Sequence, residues 1–156
     1  MTYSAVAVAN AFIEKAKKGE LQELTPMKLQ RLLFYTQSWH LKLYDGKLLF
    51  DDLFARWKFG PVIPHLYHML KRYGANEIQE PISTIIDSER GFKRITPTIH
   101  KDDVDAMKLI DKIIEAYGGY TGTDLSNMTN SPDTAWSKGS PDGGPILHTD
   151  MANHIH

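Results

Sequence analysis

Residues 25–43 read TPMKLQRLLFYTQSWHLKL, and this stretch is the most clearly marked element of the chain. Thr25 is a residue type that caps helix N-termini, and Pro26 suits the first helical position, where a missing N–H is tolerated. Leucines and other apolar residues then recur three and four positions apart, which is the spacing of one buried helix face. The stretch therefore predicts an amphipathic helix that ends at the turn signal Asp45-Gly46.

The rest of the chain is predicted to be mostly helical. Apolar periodicity, capping residues and stop signals predict further helices over about 4–18, 64–73, 102–117, 121–129 and 149–156. Alternating residues within 48–59 predict one or two short strands, and residues 82–86 and 92–98 flank a turn, as in a small hairpin or two edge strands. The segment 60–64 (GPVIP) is expected to be a rigid connector, because its two prolines fix φ and remove backbone donors.

These elements predict a mainly α fold with a small β element (α+β). We expect one compact helical-bundle domain over 1–156, with a short hairpin or small antiparallel sheet. Residues 140–156 should form a loop and a terminal segment. A chain of 156 residues is long enough to bury a substantial core without disulfides or metals.

Composition excludes several classes of protein. Lys and Arg number 18 against 19 Asp and Glu, a net charge of −1 at pH 7, which argues against general attraction to nucleic acid or membranes. Cysteine is absent, so no thiolate nucleophile or disulfide framework exists. No apolar window approaches a membrane span and no secretion signal is visible, so a cytoplasmic location is expected.

The neutral total hides an asymmetry along the chain. Residues 1–74 carry 11 Lys or Arg against 6 Asp or Glu, a net +5, whereas residues 75–156 carry 7 against 13, a net −6. Two interpretations remain open: the two parts attract each other within one fold, or one of them faces a charged partner.

Catalytic and cofactor signals are weak. His65 and His68 share a predicted helix face, but no third ligand accompanies them, so we predict no metal site and no cofactor. Neither a nucleophile elbow nor a phosphate-binding loop occurs, and no catalytic residue is assigned. The region 102–129 has the outline of a helix-turn-helix, but its second segment lacks Lys and Arg, so no nucleic-acid contact is expected.

A partner-binding surface is the remaining hypothesis. Basic and aromatic residues of the 25–43 helix are expected to form a face beside the 57–62 segment, and aromatic side chains with Arg or Lys are typical interface anchors. The alternative is that the aromatic residues belong to the core. The candidate contact residues are Lys28, Arg31, Tyr35, Trp39, Lys42, Trp57, Gly60, Pro61, Val62 and Trp136.

A series of motifs follows in order along the chain: PMKLQRLLFYTQSWHL (26–41), LFD (49–51), FARWKFGPV (54–62), Tyr67, Tyr73-Gly74, and LS (125–126) followed by Trp136. In this order they resemble the Panacea antitoxin domain family, also called the SocA-like or phage-associated protein family, and the family-like core covers about 25–136. One feature differs, because the family commonly places a His between the Leu-Ser pair and the Trp, and residues 127–135 contain none.

The resemblance implies a mostly helical domain with a small β element that acts without catalysis. Members of this family are encoded beside toxins or in prophages and neutralise a cognate toxin by direct protein binding. Some are thought to present the toxin to a cytoplasmic protease, so a proteolytic adaptor is the alternative function.

Overall fold

The computed structural model describes residues 2–155, in which four short strands accompany six helices. The helices are α1 (Ala5–Lys17), α2 (Pro26–Leu43), α3 (Pro64–Leu70), α4 (Val104–Tyr117), α5 (Gly122–Thr129) and α6 (His148–Asn153). The strands are β1 (Ala55–Trp57), β2 (Gly60–Val62), β3 (Thr84–Ser88) and β4 (Gly91–Ile95), paired antiparallel as β1–β2 and β3–β4. The predicted mainly helical α+β class is confirmed.

Helix α2 lies at the centre of the fold. Helices α1, α4, α5 and α6 and strand β2 all pack against it, and 12 of its 18 residues are buried. Its start is the predicted one: the Thr25 hydroxyl accepts a hydrogen bond from the Lys28 N–H at 3.2 Å, and Pro26 is the first helical residue. Because several elements enclose α2, most of its polar residues are buried together with its leucines, whereas Lys42 and Leu43 at its C-terminal end are exposed.

Local signals placed most of the other helix boundaries correctly, although α6 ends at Asn153, before the predicted end. Ser4 caps α1, and Thr121 caps α5 in a reciprocal arrangement with Asp124. Pro64 is the first residue of α3, which continues as a single 3-10 turn to Tyr73. Gly74 follows with a φ of 57°, a left-handed conformation that favours glycine. None of the helices in residues 2–155 is long and apolar enough to cross a membrane.

The prediction of one or two short strands within 48–59 is confirmed by β1, and Phe50 makes only an isolated bridge with Tyr3. The prediction for residues 60–64 is wrong. The segment 60–62 is strand β2 rather than a connector. Pro61 lies opposite Arg56 in this hairpin, at a position where the two residues exchange no backbone hydrogen bonds. The Arg56 N–H and carbonyl instead bond to Gly144 and Gly143 on the other side of β1. The missing N–H of Pro61 therefore costs the hairpin no hydrogen bond.

Three buried amide side chains attach extended backbone to the helices. Asn10 of α1 donates to the Ile82 carbonyl and accepts from the Ile82 N–H, at 2.9 and 2.7 Å. Gln30 of α2 binds both backbone groups of Ile63 in the same way, at 3.1 and 2.9 Å. A third, Gln37, accepts from Leu49 N–H and donates to the Phe50 carbonyl. These segments thus obtain from side chains the partners that a larger sheet would supply.

We expect Asn10→Ala to lower the free energy of unfolding by about 2–4 kcal/mol, because buried backbone groups of Ile82 would lose their partners. Urea unfolding followed by circular dichroism measures the change. The control is Asn127→Ala, which alters an exposed amide and should shift stability by less than about 0.5 kcal/mol. Equal stability of the two variants would contradict the role assigned to Asn10.

Candidate partner-binding groove

A groove of about 540 Å³ opens at the N-terminal end of α2. Its walls come from α2, the β1–β2 hairpin, α3 and the loop at 141–143. The lining is mostly apolar and includes three side chains that are substantially exposed: Met27 at 41%, Phe59 at 66% and Tyr67 at 40%. Exposed apolar side chains gathered in a concavity are typical of binding sites.

Arg31 fixes the hairpin that forms one wall of the groove. Its guanidinium donates to the carbonyls of Phe59 and Pro61, both at 2.7 Å, and its Nε donates to the Ser126 hydroxyl at 3.0 Å. Gly60 lies against this guanidinium with a φ of 132°. A Cβ at Gly60 would approach Arg31 to 2.7 Å, so only glycine admits the buried arginine at this distance.

Trp57 links the groove to the later part of the chain. Its ring meets that of Tyr67 edge-on, with centroids 5.0 Å apart. Its carbonyl accepts a hydrogen bond from the indole N–H of Trp136 at 2.8 Å. Arg56, the preceding residue in β1, donates from Nε to the Trp136 carbonyl at 2.8 Å. The hairpin is therefore tied to α2 through Arg31 and to the 135–145 region through Trp57 and Arg56.

The groove carries more positive than negative charge. Its charged lining residues are Arg31, Lys58 and Asp142. Asp142 is engaged locally, since its Oδ1 accepts from the Gly144 N–H at 2.9 Å. Among the described residues no carboxylate forms an ion pair with Arg31. Burial lowers the pKa of Arg31 to about 10, so its guanidinium remains protonated near neutral pH.

The structure brings some of the predicted contact residues together and leaves others apart. Those that line the groove are Arg31, Trp57, Gly60 and Val62, and Pro61 lies beneath it as an acceptor for Arg31. Trp136 does not line the groove but donates a hydrogen bond to the Trp57 carbonyl of the hairpin. Lys28, Tyr35, Trp39 and Lys42 lie elsewhere on α2.

The expected exposed basic face of α2 does not exist. Lys28 and Arg31 are each only 2% exposed, and Tyr35 is buried against Tyr117 in a stack with centroids 4.0 Å apart. Lys28 donates from Nζ to the carbonyls of Gln22 and Gly118, both at 2.7 Å, and burial lowers its pKa. Burial likewise raises the pKa of Tyr35. The prediction was wrong because α2 is surrounded by other elements and has no broad solvent face.

Trp39 and Lys42 are the more accessible of the predicted α2 residues. Trp39 is half-buried and donates its indole N–H to the Tyr117 hydroxyl at 2.8 Å. The Lys42 ammonium lies 5.3 Å from the centre of the Trp39 ring. The two side chains form a small cation–π contact outside the groove.

The charge asymmetry is smaller at the surface than along the sequence. Lys28, Arg31 and Arg56 are buried and donate to backbone carbonyls. Without these three, the net charge of residues 1–74 falls from +5 to +2. Much of the positive charge in this part of the chain therefore serves the fold.

Sequence reasoning located the 57–62 segment but did not single out Lys58 and Phe59 within it, and it missed Met27, Leu70 and the loop at 141–143. The 141–143 loop was recognised only as a loop, and its place beside the hairpin depends on backbone hydrogen bonds from Arg56 to residues 143 and 144. Phe59 offered a usable signal, because a large aromatic residue at a hairpin turn has no core to enter.

Fold and groove together define a small α+β domain built around one central helix. At one end of this helix lies a mostly apolar groove with the guanidinium of Arg31 in its lining. A family model described as "Antitoxin SocA-like, Panacea domain" matches residues 29–137, which is more than two thirds of the chain. The chain belongs to this family, and the resemblance seen in its motifs is confirmed. It matches none of the curated proteins and none of the solved structures with which it was compared.

We expect Gly60→Ala to lower the free energy of unfolding by at least about 2 kcal/mol, because it combines a strained φ with a contact against Arg31. Gly46→Ala is the matched control, since its φ is 85° but nothing lies within 4 Å of the added Cβ. The control should lose about 1 kcal/mol. Equal losses in urea unfolding would mean that Arg31 moves aside freely and does not fix the hairpin.

Proposed function

We propose that this protein is the antitoxin of a bacterial or phage toxin–antitoxin pair and that it neutralises its cognate toxin by direct binding. The family match over residues 29–137 carries the proposal, because the family is that of a SocA-like antitoxin. The groove supports it by offering a surface suited to a protein partner. We propose that the contact face consists of the groove together with its support at Trp136.

The groove suits binding better than catalysis. Its titratable lining residues are Arg31, Lys58, Tyr67 and Asp142. Arg31 is engaged by backbone carbonyls and Asp142 by a turn N–H, so neither activates a nucleophile. Within residues 2–155, no three His, Asp or Glu side chains gather where a metal ion would bind. We therefore propose a function without catalysis and without a cofactor.

Burial changes which of the candidate residues are proposed to touch the toxin. Lys28, Arg31 and Tyr35 are too enclosed for direct contact, so we propose that Arg31 acts by positioning the hairpin. Lys58, Phe59 and Tyr67 replace them as exposed contact residues. Trp39 and Lys42 remain accessible and would belong to the contact face only if it extends along α2.

Co-expression with the product of the adjacent gene tests the proposal. That product alone should arrest growth, and this protein should restore growth and form a complex with it on size-exclusion chromatography. A harmless neighbour, or a toxic one that stays toxic in the presence of this protein, would contradict the antitoxin function.

The half-life of the partner distinguishes neutralisation by binding from the alternative, a proteolytic adaptor. Masking leaves the half-life of the toxin unchanged or longer, because the bound toxin is intact. An adaptor shortens it in cells that contain the protease. A pulse-chase measurement with and without this protein therefore separates the two functions.

A further inference from the structure

The chemistry of the groove indicates what kind of partner segment it accepts. Met27, Phe59 and Tyr67 expose apolar surface around the concavity, and Trp57 and Leu70 contribute to its lining. A bulky apolar side chain entering this space would lose its contact with water and gain aromatic contacts. The volume of about 540 Å³ suits a few side chains rather than a whole helix or a flat surface.

The backbone edges beside the groove are already occupied. The outer edge of β2 is covered by α2: Arg31 donates to the Phe59 and Pro61 carbonyls, and Gln30 binds both backbone groups of Ile63. The outer edge of β1 bonds through Arg56 to the backbone of residues 143 and 144. A partner therefore cannot extend this hairpin as an added strand, so the groove must recognise the side chains of the partner.

Charge complementarity indicates the second requirement. Arg31 lies at the floor of the groove with only neutral partners, and Lys58 is exposed at its rim. The one acidic lining residue, Asp142, does not pair with either cation in the structure. A cation beneath apolar walls exerts a strong local field, which favours a carboxylate at the groove.

We propose that the groove receives a short segment of the toxin in which a bulky apolar residue is adjacent to an Asp or Glu. The apolar side chain packs among Met27, Phe59 and Tyr67, and the carboxylate lies by Lys58 above Arg31. This inference rests on the proposed antitoxin function, since it identifies the part of the toxin that the same surface binds.

Two groove variants and two matched controls test the inference. Lys58→Glu reverses the rim charge and Phe59→Ser removes the rim aromatic ring. Lys93→Glu and Phe92→Ser make the same changes on the exposed β3–β4 hairpin, where Phe92 is 83% exposed. All four substitutions alter exposed side chains, so the variants should fold, and circular dichroism checks this.

The measured quantity is the dissociation constant of each variant for the purified product of the adjacent gene, obtained by isothermal titration calorimetry. Each groove variant should weaken binding by about tenfold or more, and each control by less than about twofold. Lys58→Glu should also reduce the salt dependence of binding. Groove variants that bind like the unaltered protein overturn the inference and leave the antitoxin function intact. If only the two controls, Lys93→Glu and Phe92→Ser, weaken binding, the inference is also overturned, because the interface would then be the β3–β4 hairpin.

Photo-cross-linking identifies the bound segment directly. A benzoylphenylalanine at position 59 should capture one toxin peptide, in which an apolar residue neighbours an Asp or Glu. Replacing that acidic residue by Lys should restore binding to Lys58→Glu. A captured peptide without a neighbouring acidic side chain, including one that relies on a terminal carboxylate, overturns the inference. If the unaltered protein neither binds nor neutralises the product of the adjacent gene, the proposed function and this inference fail together.

Discussion

Helix α2 provides side-chain hydrogen-bond partners to extended backbone that no larger sheet covers, and these bonds fix the position of that backbone in the fold. The segments at 49–50 and 59–63 are extended but belong to no large sheet, so their buried N–H and carbonyl groups need partners from elsewhere. Gln37, Arg31 and Gln30 supply them from one helix. Each of these side chains also fixes the position of the segment that it binds relative to α2. The β1–β2 hairpin beside the groove is held in this way.

Buried cations extend the same principle to distant parts of the chain. Lys28 donates to the carbonyl of Gly118, which ends α4, so a positive charge lies at the negative end of that helix dipole. Arg56 binds the Trp136 carbonyl and so links β1 to the region that follows α5. Charge-assisted bonds to carbonyls are stronger than neutral ones, which offsets part of the cost of burying these cations.

How far the sequence predicts this structure depends on whether the signal is local. Helix α2 was predicted correctly because Thr25, Pro26 and the leucine spacing act within a few residues of one another. The burial of Lys28 and Arg31 was not predicted, because a periodic pattern assigns polar residues to the solvent-exposed face of a helix. It cannot show that other elements enclose the helix on that face. The groove was located only in part for the same reason: Trp57 and Gly60 are near in sequence to its hairpin, whereas the 141–143 loop arrives about eighty residues later.

Anchoring, rather than exposed apolar area, distinguishes the two hairpins of this protein. Both expose a phenylalanine, Phe59 on β1–β2 and Phe92 on β3–β4. The turn that carries Phe59 is held by Arg31 through its carbonyl, and the strand before it by Trp136. A surface whose backbone is already fixed loses little conformational entropy when a partner binds, so more of the contact energy remains as affinity. The rigidity of the proposed binding surface thus depends largely on buried polar residues beneath it, such as Arg31 and Gln30 of α2.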